Sequence, residues 1–302
     1  MKKPTVTIGI PAYNEEANIG FLLQELLRQK QKNYKLEEIL IASDGSKDKT
    51  VSVINKIQNK KVKVLDSKER RGTAVRQNQL LKVAKGDILV LINADIMIKD
   101  RNYIEKLVLP IVKQKSDLTA TVWKELNPRN FFEEILFVSM KIKRNAFEKF
   151  NSGNNLYTCT GTARAFSKRL YKTLQFPSSI GEDAFSYLFC IYNKFNYQFV
   201  KNTIVYYRLP SEYKDHERQS IRFIQSKKKF SKLFGKDFVT AQYKIPMQLY
   251  VISGLQYLLK FPLHTMLYVF LYCGITLKSY FVSKLSDVWE ISSSSKNLRY
   301  SK

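Results

Sequence analysis

The sequence predicts an α/β protein, with a mostly parallel sheet flanked by helices and a C-terminal apolar helical segment. Three observations predict it. Short, continuously apolar runs recur through the first hundred or so residues. Between them, apolar residues fall at helical spacing on one face. The chain then turns almost wholly apolar over residues 245–277. Continuous apolar strands alternating with amphipathic helices indicate a sheet buried on both faces.

Val6 to Ile10 is the first expected strand. Ile19, Leu22, Leu23, Leu26 and Leu27 then mark one face of a helix. Glu15 and Glu16 are expected in its first turn, where acids suit the helix dipole. Ile39 to Ala42 forms a second strand, and Ser46 is expected to cap a helix carrying Val51, Ile54 and Ile57. Val62 to Leu65 is a third strand. A helix through Val75, Leu80 and Leu81 follows, and Ile88 to Ile92 is the fourth strand. Further on, Phe131 to Phe150 reads as a long helix and Leu156 to Phe166 as a strand. A helix opens after Gly181, Gln198 to Tyr207 is another strand, and Glu212 to Phe234 is a basic amphipathic helix. Ligands of such sheets bind beyond the carboxyl ends of the strands, which directs the search to the loops at 11–15, 43–48 and 93–96.

The chain has 51 Lys and Arg against 26 Asp and Glu, a net charge of +25. That excess implies an anionic partner: a phosphorylated substrate, an anionic membrane surface or nucleic acid. No standard nucleic-acid motif is present, so nucleic acid is not expected. Cys159, Cys190 and Cys273 have no metal-type spacing and do not form a disulfide framework. No secretory leader is visible in MKKPTVTIGIPAY, so the chemistry is expected on the cytoplasmic side. The organisation expected is a domain over 1–235, in two halves (1–100 and 101–235). A membrane-associating or dimerising segment over 236–285 and a disordered tail over 286–302 complete it. Residues 261–277 are borderline against the about 20 apolar residues a spanning helix needs, and flat-lying or re-entrant helices or a short hairpin fit at least as well as a span. The basic stretch upstream directs the expectation to peripheral or shallowly inserted attachment to an anionic membrane, with a core helical pair or a homodimer interface as the other use of the segment.

Four loops carry candidate chemistry. Pro11-Ala12-Tyr13-Asn14-Glu15 follows the first strand: Tyr13 can stack on a base, and Glu15 can bond a base or ribose. Asp44 follows the second strand, where a carboxylate can accept from a pyrimidine N–H. Asn93-Ala94-Asp95 follows the fourth, and a diphosphate is held well by a hard divalent cation bound through one or two carboxylates, here Asp95. Glu182-Asp183 opens a helix, and a carboxylate there can deprotonate an attacking hydroxyl. Gly161 and Thr162 can floor an acceptor site. Each loop alone reads as well as an ordinary turn or cap.

Taken in order, with Gly72, Asn78 and the run Gly86 to Val90 between them, these motifs resemble the family 2 inverting glycosyltransferases, most closely over residues 5–100. The resemblance implies a GT-A fold, with a Rossmann-like nucleotide-binding half over 1–100 and an acceptor half over 101–235, direct displacement with inversion, and Mg²⁺ or Mn²⁺. It implies that Pro11, Ala12, Tyr13, Glu15 and Asp44 hold the nucleoside, that Asp95 binds the metal, and that Asn93 faces the ribose or diphosphate. Asp183 would be the base and Glu182 would orient the acceptor. Gln219 and Arg222 resemble the Gln-X-X-Arg-Trp signature of processive members, with Phe223 for Trp, and Arg222 would stabilise the diphosphate. Thr73 stands where many relatives carry Lys, so Arg70, Arg71 or Arg76 is expected to supply that charge, with Arg71 among the nucleotide-binding set. The function implied is transfer of one sugar from a nucleotide-diphosphate sugar, UDP favoured, to a lipid-linked or polysaccharide acceptor in polysaccharide biosynthesis. A non-catalytic nucleotide-sugar or glycan-binding protein on the same fold is the alternative. A dehydrogenase would need a Gly-X-Gly-X-X-Gly turn where this chain has Pro11 to Glu16.

Overall fold

A computed structural model describes residues 2–178, 180–282 and 293–298. The strands are β1 (Thr5–Ala12), β2 (Lys35–Asp44), β3 (Val62–Ser67), β4 (Ile88–Ile92), β5 (Ile96–Ile98), β6 (Leu118–Glu125), β7 (Ala163–Ser167) and β8 (Tyr197–Tyr207). The helices are α1 (Ile19–Leu27), α2 (Thr50–Asn55), α3 (Thr73–Val83), α4 (Tyr103–Val112), α5 (Phe131–Lys149), α6 (Lys168–Tyr171), α7 (Glu182–Tyr192), α8 (Tyr213–Phe234), α9 (Lys236–Tyr243), α10 (Met247–Lys260) and α11 (Pro262–Ser279).

One eight-stranded sheet runs in the order β3-β2-β1-β4-β7-β6-β8-β5. β1, β2, β3 and β4 pair in parallel, whereas β7 runs antiparallel to both β4 and β6. β6 and β8 are parallel, and β5 closes the edge antiparallel to β8. Strand side chains alternate between faces, and β4 shows why its whole run is apolar. Ile88, Val90 and Ile92 enter one core with α1 and α4, while Leu89 and Leu91 enter the other with α3 and α7. A small third cluster joins Ile135 and Leu136 of α5 to Tyr268 of α11.

Gly86 is dictated by close approach: a Cβ there would lie 2.5 Å from the Thr7 backbone nitrogen. Its N–H instead donates to Thr7 Oγ1 at 3.0 Å, and its carbonyl accepts from the Tyr171 hydroxyl at 2.6 Å, fixing the entry to β4.

Several expectations are corrected. Glu15 and Glu16 precede α1 rather than opening it; the Glu15 carbonyl accepts from the Asn18 and Ile19 amides. Ser46 does not cap α2, whose N-cap is Lys49, and Ile57 lies beyond that helix. The Ser46 hydroxyl accepts from the Asn14 amide instead. Only Ala163–Ser167 of the strand expected over 156–166 is extended; Leu156–Thr158 is a 3-10 turn. Of the tail expected to be disordered, residues 293–298 pack on the body and the remainder lies outside the described residues.

Candidate functional site

The parallel strands β1, β2 and β4 deliver the loops at Tyr13, Asp44 and Asn93 to one edge of the sheet. Because β7 runs antiparallel to β4, its entry loop meets that edge too, and the Asn93 amide donates to the Thr162 carbonyl at 3.0 Å. A cavity of about 500 Å³ opens there. Pro11, Ala12, Tyr13, Glu15, Asp44, Asn93, Asp95, Gly161, Thr162, Glu182, Asp183, Gln219 and Arg222 all line it. Of the residues given a binding or catalytic role in the sequence reading, Arg71 is not on the wall; Arg70 and Arg76 are. The Arg71 amide is used instead, donating to Asp44 Oδ1 at 2.8 Å.

Asp44 is already well occupied. Besides the Arg71 amide it accepts from the Gly72 amide at 2.8 Å and from Arg76 Nε at 2.7 Å, in a pair buried on both sides. Three of its about four lone-pair sites are filled, leaving one for a ligand. Gly45 makes this possible: its φ is +72°, and a Cβ would meet the Arg70 nitrogen at 2.9 Å. The guanidinium of Arg70 lies 4.3 Å from the Tyr13 ring centroid. The loop holding Tyr13 is clipped to the loop after β2: Lys47 N donates to Asn14 Oδ1 at 2.8 Å, and the Glu15 amide donates to Thr50 Oγ1 at 2.7 Å.

Two helix N-termini face the cavity. α3 brings Thr73, and α7 brings Gly181, Glu182, Asp183 and Ala184. Unpaired amides and the helix dipole favour anions at such ends. Asp183 Oδ1 accepts from the Ala184 amide at 2.7 Å. A Cβ on Gly161 would lie 3.7 Å from Asn93 Nδ2 and 3.8 Å from Asp183 Oδ2, so the bare glycine leaves a gap between those two groups.

Burial raises three acids of the cavity. Burial, then the nearby Asp95, push Glu15 up to about 7 against the pull of Lys296. Burial also raises Asp95, opposed by Lys296. Glu182 is pushed up to about 7, chiefly by burial. Among the described residues no group of three or more His, Cys, Asp or Glu converges as a metal centre. A single carboxylate, Asp95, beside the carboxamide of Asn93 suits a hard cation that takes its other ligands from a diphosphate and water.

Arg164 and Lys296 are among the cavity residues not singled out in the sequence. Arg164, fully buried in β7, donates to the Glu182 carbonyl at 2.7 Å and to Ser186 Oγ at 2.6 Å, tying the start of α7 to the sheet; its Nε has no partner among the described residues. Lys296 reaches in from the far end of the chain. Its ammonium donates to Glu15 Oε1 at 2.8 Å, to the Asn14 carbonyl at 3.0 Å and to the Tyr13 carbonyl. The segment around it is tethered by Ser294, whose hydroxyl donates to Asp215 at 2.7 Å, and by the Leu298 amide, which donates to Asn18 at 3.4 Å.

Residues 7–175 match the family model of Glycosyl transferase family 2. The chain is 34% identical over 90 residues to the UDP-Glc:alpha-D-GlcNAc-diphosphoundecaprenol beta-1,3-glucosyltransferase WfaP of Escherichia coli, covering 30% of this chain and 35% of WfaP. The matches span only 35–38% of the length of the first curated relatives. Among solved structures, the mannosyltransferase PcManGT of Pyrobaculum calidifontis, in complex with GDP-Man and Mn²⁺, superposes with a TM-score of 0.60 at 18% identity, covering 94% of this chain and 77% of that one. Glucosyl-3-phosphoglycerate synthase of Mycobacterium tuberculosis, with Mn²⁺, UDP and glucosyl-3-phosphoglycerate, gives 0.55 at 17% identity, covering 77% and 80%. At these identities the two structures establish the fold, which is GT-A.

Proposed function

The chain belongs to glycosyl transferase family 2, and we propose that it transfers one sugar, with inversion, from a nucleotide-diphosphate sugar to a hydroxyl of a lipid-linked or polysaccharide acceptor at the cytoplasmic face of a membrane. The observation that carries this reading is the convergence of the β1, β2 and β4 loops and the α7 N-terminus on one cavity. UDP is the favoured nucleotide and polysaccharide biosynthesis the favoured setting. WfaP, whose name gives a UDP-sugar donor and a diphosphoundecaprenol-linked acceptor, supports the UDP donor and the lipid-linked acceptor.

In this reading the nucleoside lies along Pro11, Ala12 and Tyr13, with Glu15 and the remaining lone pair of Asp44 as acceptors for its N–H and hydroxyl groups. The diphosphate lies towards Asn93, the α3 N-terminus and Arg222, which stabilise its growing charge. Asp95 would hold a Mn²⁺ or Mg²⁺ ion, whose chemistry is to neutralise that diphosphate. Asp183, opposite Asn93 across Gly161, takes the proton from the acceptor oxygen as that oxygen attacks the anomeric carbon. Glu182 and Gln219 orient the acceptor. Attack from the side opposite the diphosphate inverts the sugar.

The test is turnover. Asp183→Asn should lower sugar transfer by about 10²–10⁴-fold, the range general-base removal gives, while leaving UDP affinity within a factor of about two. Equal turnover in wild type and variant would dismiss Asp183 as base. No transfer by wild type to any lipid-linked or polysaccharide acceptor would favour a binding protein on the same fold.

A further inference from the structure

Exposed large apolar side chains concentrate in one place, the α10–α11 pair. Met247 is 73% exposed, Leu259 87%, Phe270 71% and Leu277 64%. The exposure has a direction. Along α11, Leu263, Met266, Phe270, Cys273 and Leu277 are exposed at alternating spacings of three and four, while Thr265, Tyr268, Ile275 and Ser279 are buried. The inner side is held by the body: Tyr250 meets Phe147 edge-on at 6.2 Å, Tyr268 packs with Ile135 and Leu136, and Gln225 of α8 donates to the Ser279 carbonyl at 3.2 Å. The outer side carries a groove between the two helices, lined by Val251, Leu255, Leu258, Met266, Val269 and Phe270.

Charge selects what covers this face. Residues 245–277 contain no Asp or Glu, and their one formal charge is Lys260, exposed at the turn between the helices. Lys244 and Lys278 stand exposed at the two ends. Among the described residues, the acids that pair with α10 or α11 come from body helices, Glu134 of α5 at His264 and Glu217 of α8 at Lys278. A two-fold dimer through this face would oppose apolar patches but leave Lys244 and Lys260 with no acid of α10 or α11 to meet them, Lys278 being already paired with Glu217. An anionic bilayer offers hydrocarbon to the face and phosphate to the rim.

Length sets the mode. Among the described residues no helix is long and apolar enough to cross a membrane. End-on insertion would also drive Lys260 into hydrocarbon, where an ammonium is strongly disfavoured. Lying flat, the pair sinks its outer stripe into the acyl boundary while all three lysines stay among headgroups.

We propose that α10 and α11 form a docking face that lies flat on an anionic membrane, anchored by the stripe Leu259, Leu263, Met266 and Phe270 and rimmed by Lys244, Lys260 and Lys278. This deepens the membrane location proposed above and stands apart from sugar transfer. UDP binding by each variant reports the donor site separately.

The experiment is flotation of the full chain with phosphatidylcholine vesicles, with and without phosphatidylglycerol. Binding is expected only with the anionic lipid. Leu259→Glu with Phe270→Glu, both solvent-facing, should weaken it by about tenfold or more, and Lys260→Glu should weaken it less and in a salt-dependent way. A nitrobenzoxadiazole probe on Cys273, the exposed thiol beside buried Cys159 and Cys190, should shift to the blue on binding. Wild type that fails to float with anionic vesicles overturns the proposal. So does a double variant that floats like wild type, or a probe that stays in water. A dimer in sedimentation that the same substitutions dissociate would assign the face to a second copy instead.

Discussion

Asp44 accepts from two backbone amides and from the Arg76 guanidinium, all within 2.8 Å, so its first duty is to hold the chain between β3 and α3 against the end of β2. Removing it by Asp44→Ala would strand a buried guanidinium, a change expected to lose about 3–5 kcal/mol. Asp44→Asn keeps an acceptor and should lose less; urea unfolding of both variants checks the order. Glu182 carries a second expectation, with a definite sign. Burial pushes its carboxyl up from an ordinary 4.5 to about 7. Between those values the unfolded chain releases the proton while the folded chain keeps it, so stability is greatest below the window and falls as pH rises through it. The fall attributable to Glu182 is on the order of 3 kcal/mol, and Glu182→Gln should flatten the pH profile of the melting temperature. Glu15, raised to about 7 for the same main reason, acts in the same direction. Asp44 and Glu182 were legible in the sequence because one stands where a strand pattern ends and the other where a helix pattern begins. Arg164 was not, since it sits inside an apolar strand, although a lone charge between Ala163 and Ala165 was the available signal.

At the scale of elements, β1 to β4 and their helices were readable because strands buried on both faces are apolar at every position, a signal that needs no partner to interpret. β5, α4 and β6 went unread, and the strand expected over 156–166 proved mostly turn. β7 and β6 are placed by pairing with strands distant in sequence, Leu118 opposite Phe166 for example, which no local period encodes. The segment 293–298 is the extreme case. Lys296 meets Glu15 across some 280 positions, and its surroundings in sequence are Ser and Asn. Its ammonium is countercharge to Glu15 and Asp95, where a divalent cation with a diphosphate would also be drawn. Lys296→Ala should therefore show a larger rise in melting temperature on adding MnCl₂ and UDP than wild type does. An equal rise in both proteins would mean that the ammonium and the metal do not compete.

Over the whole molecule, one sheet edge gathers chemistry and a different surface gathers apolar exposure. The cavity is built largely by four loops and two helix N-termini, the loops belonging to strands that are neighbours in the sheet, β2-β1-β4-β7, and each loop follows or precedes a strand pattern, which is why a linear reading of motifs reached thirteen of its lining residues. The charge excess is likewise a whole-chain property. With net +25, binding of an anionic nucleotide is expected to weaken as salt rises. The central claim is that this cavity is a nucleotide-diphosphate site completed by a cation on Asp95. Calorimetric titration of UDP in Mn²⁺ and then in EDTA, on wild type and Asp95→Ala, tests it most directly. Binding that needs the metal and is lost in Asp95→Ala is the predicted result. Failure of UDP, GDP and dTDP alike to bind with either Mn²⁺ or Mg²⁺, or affinity unchanged by Asp95→Ala, would contradict it.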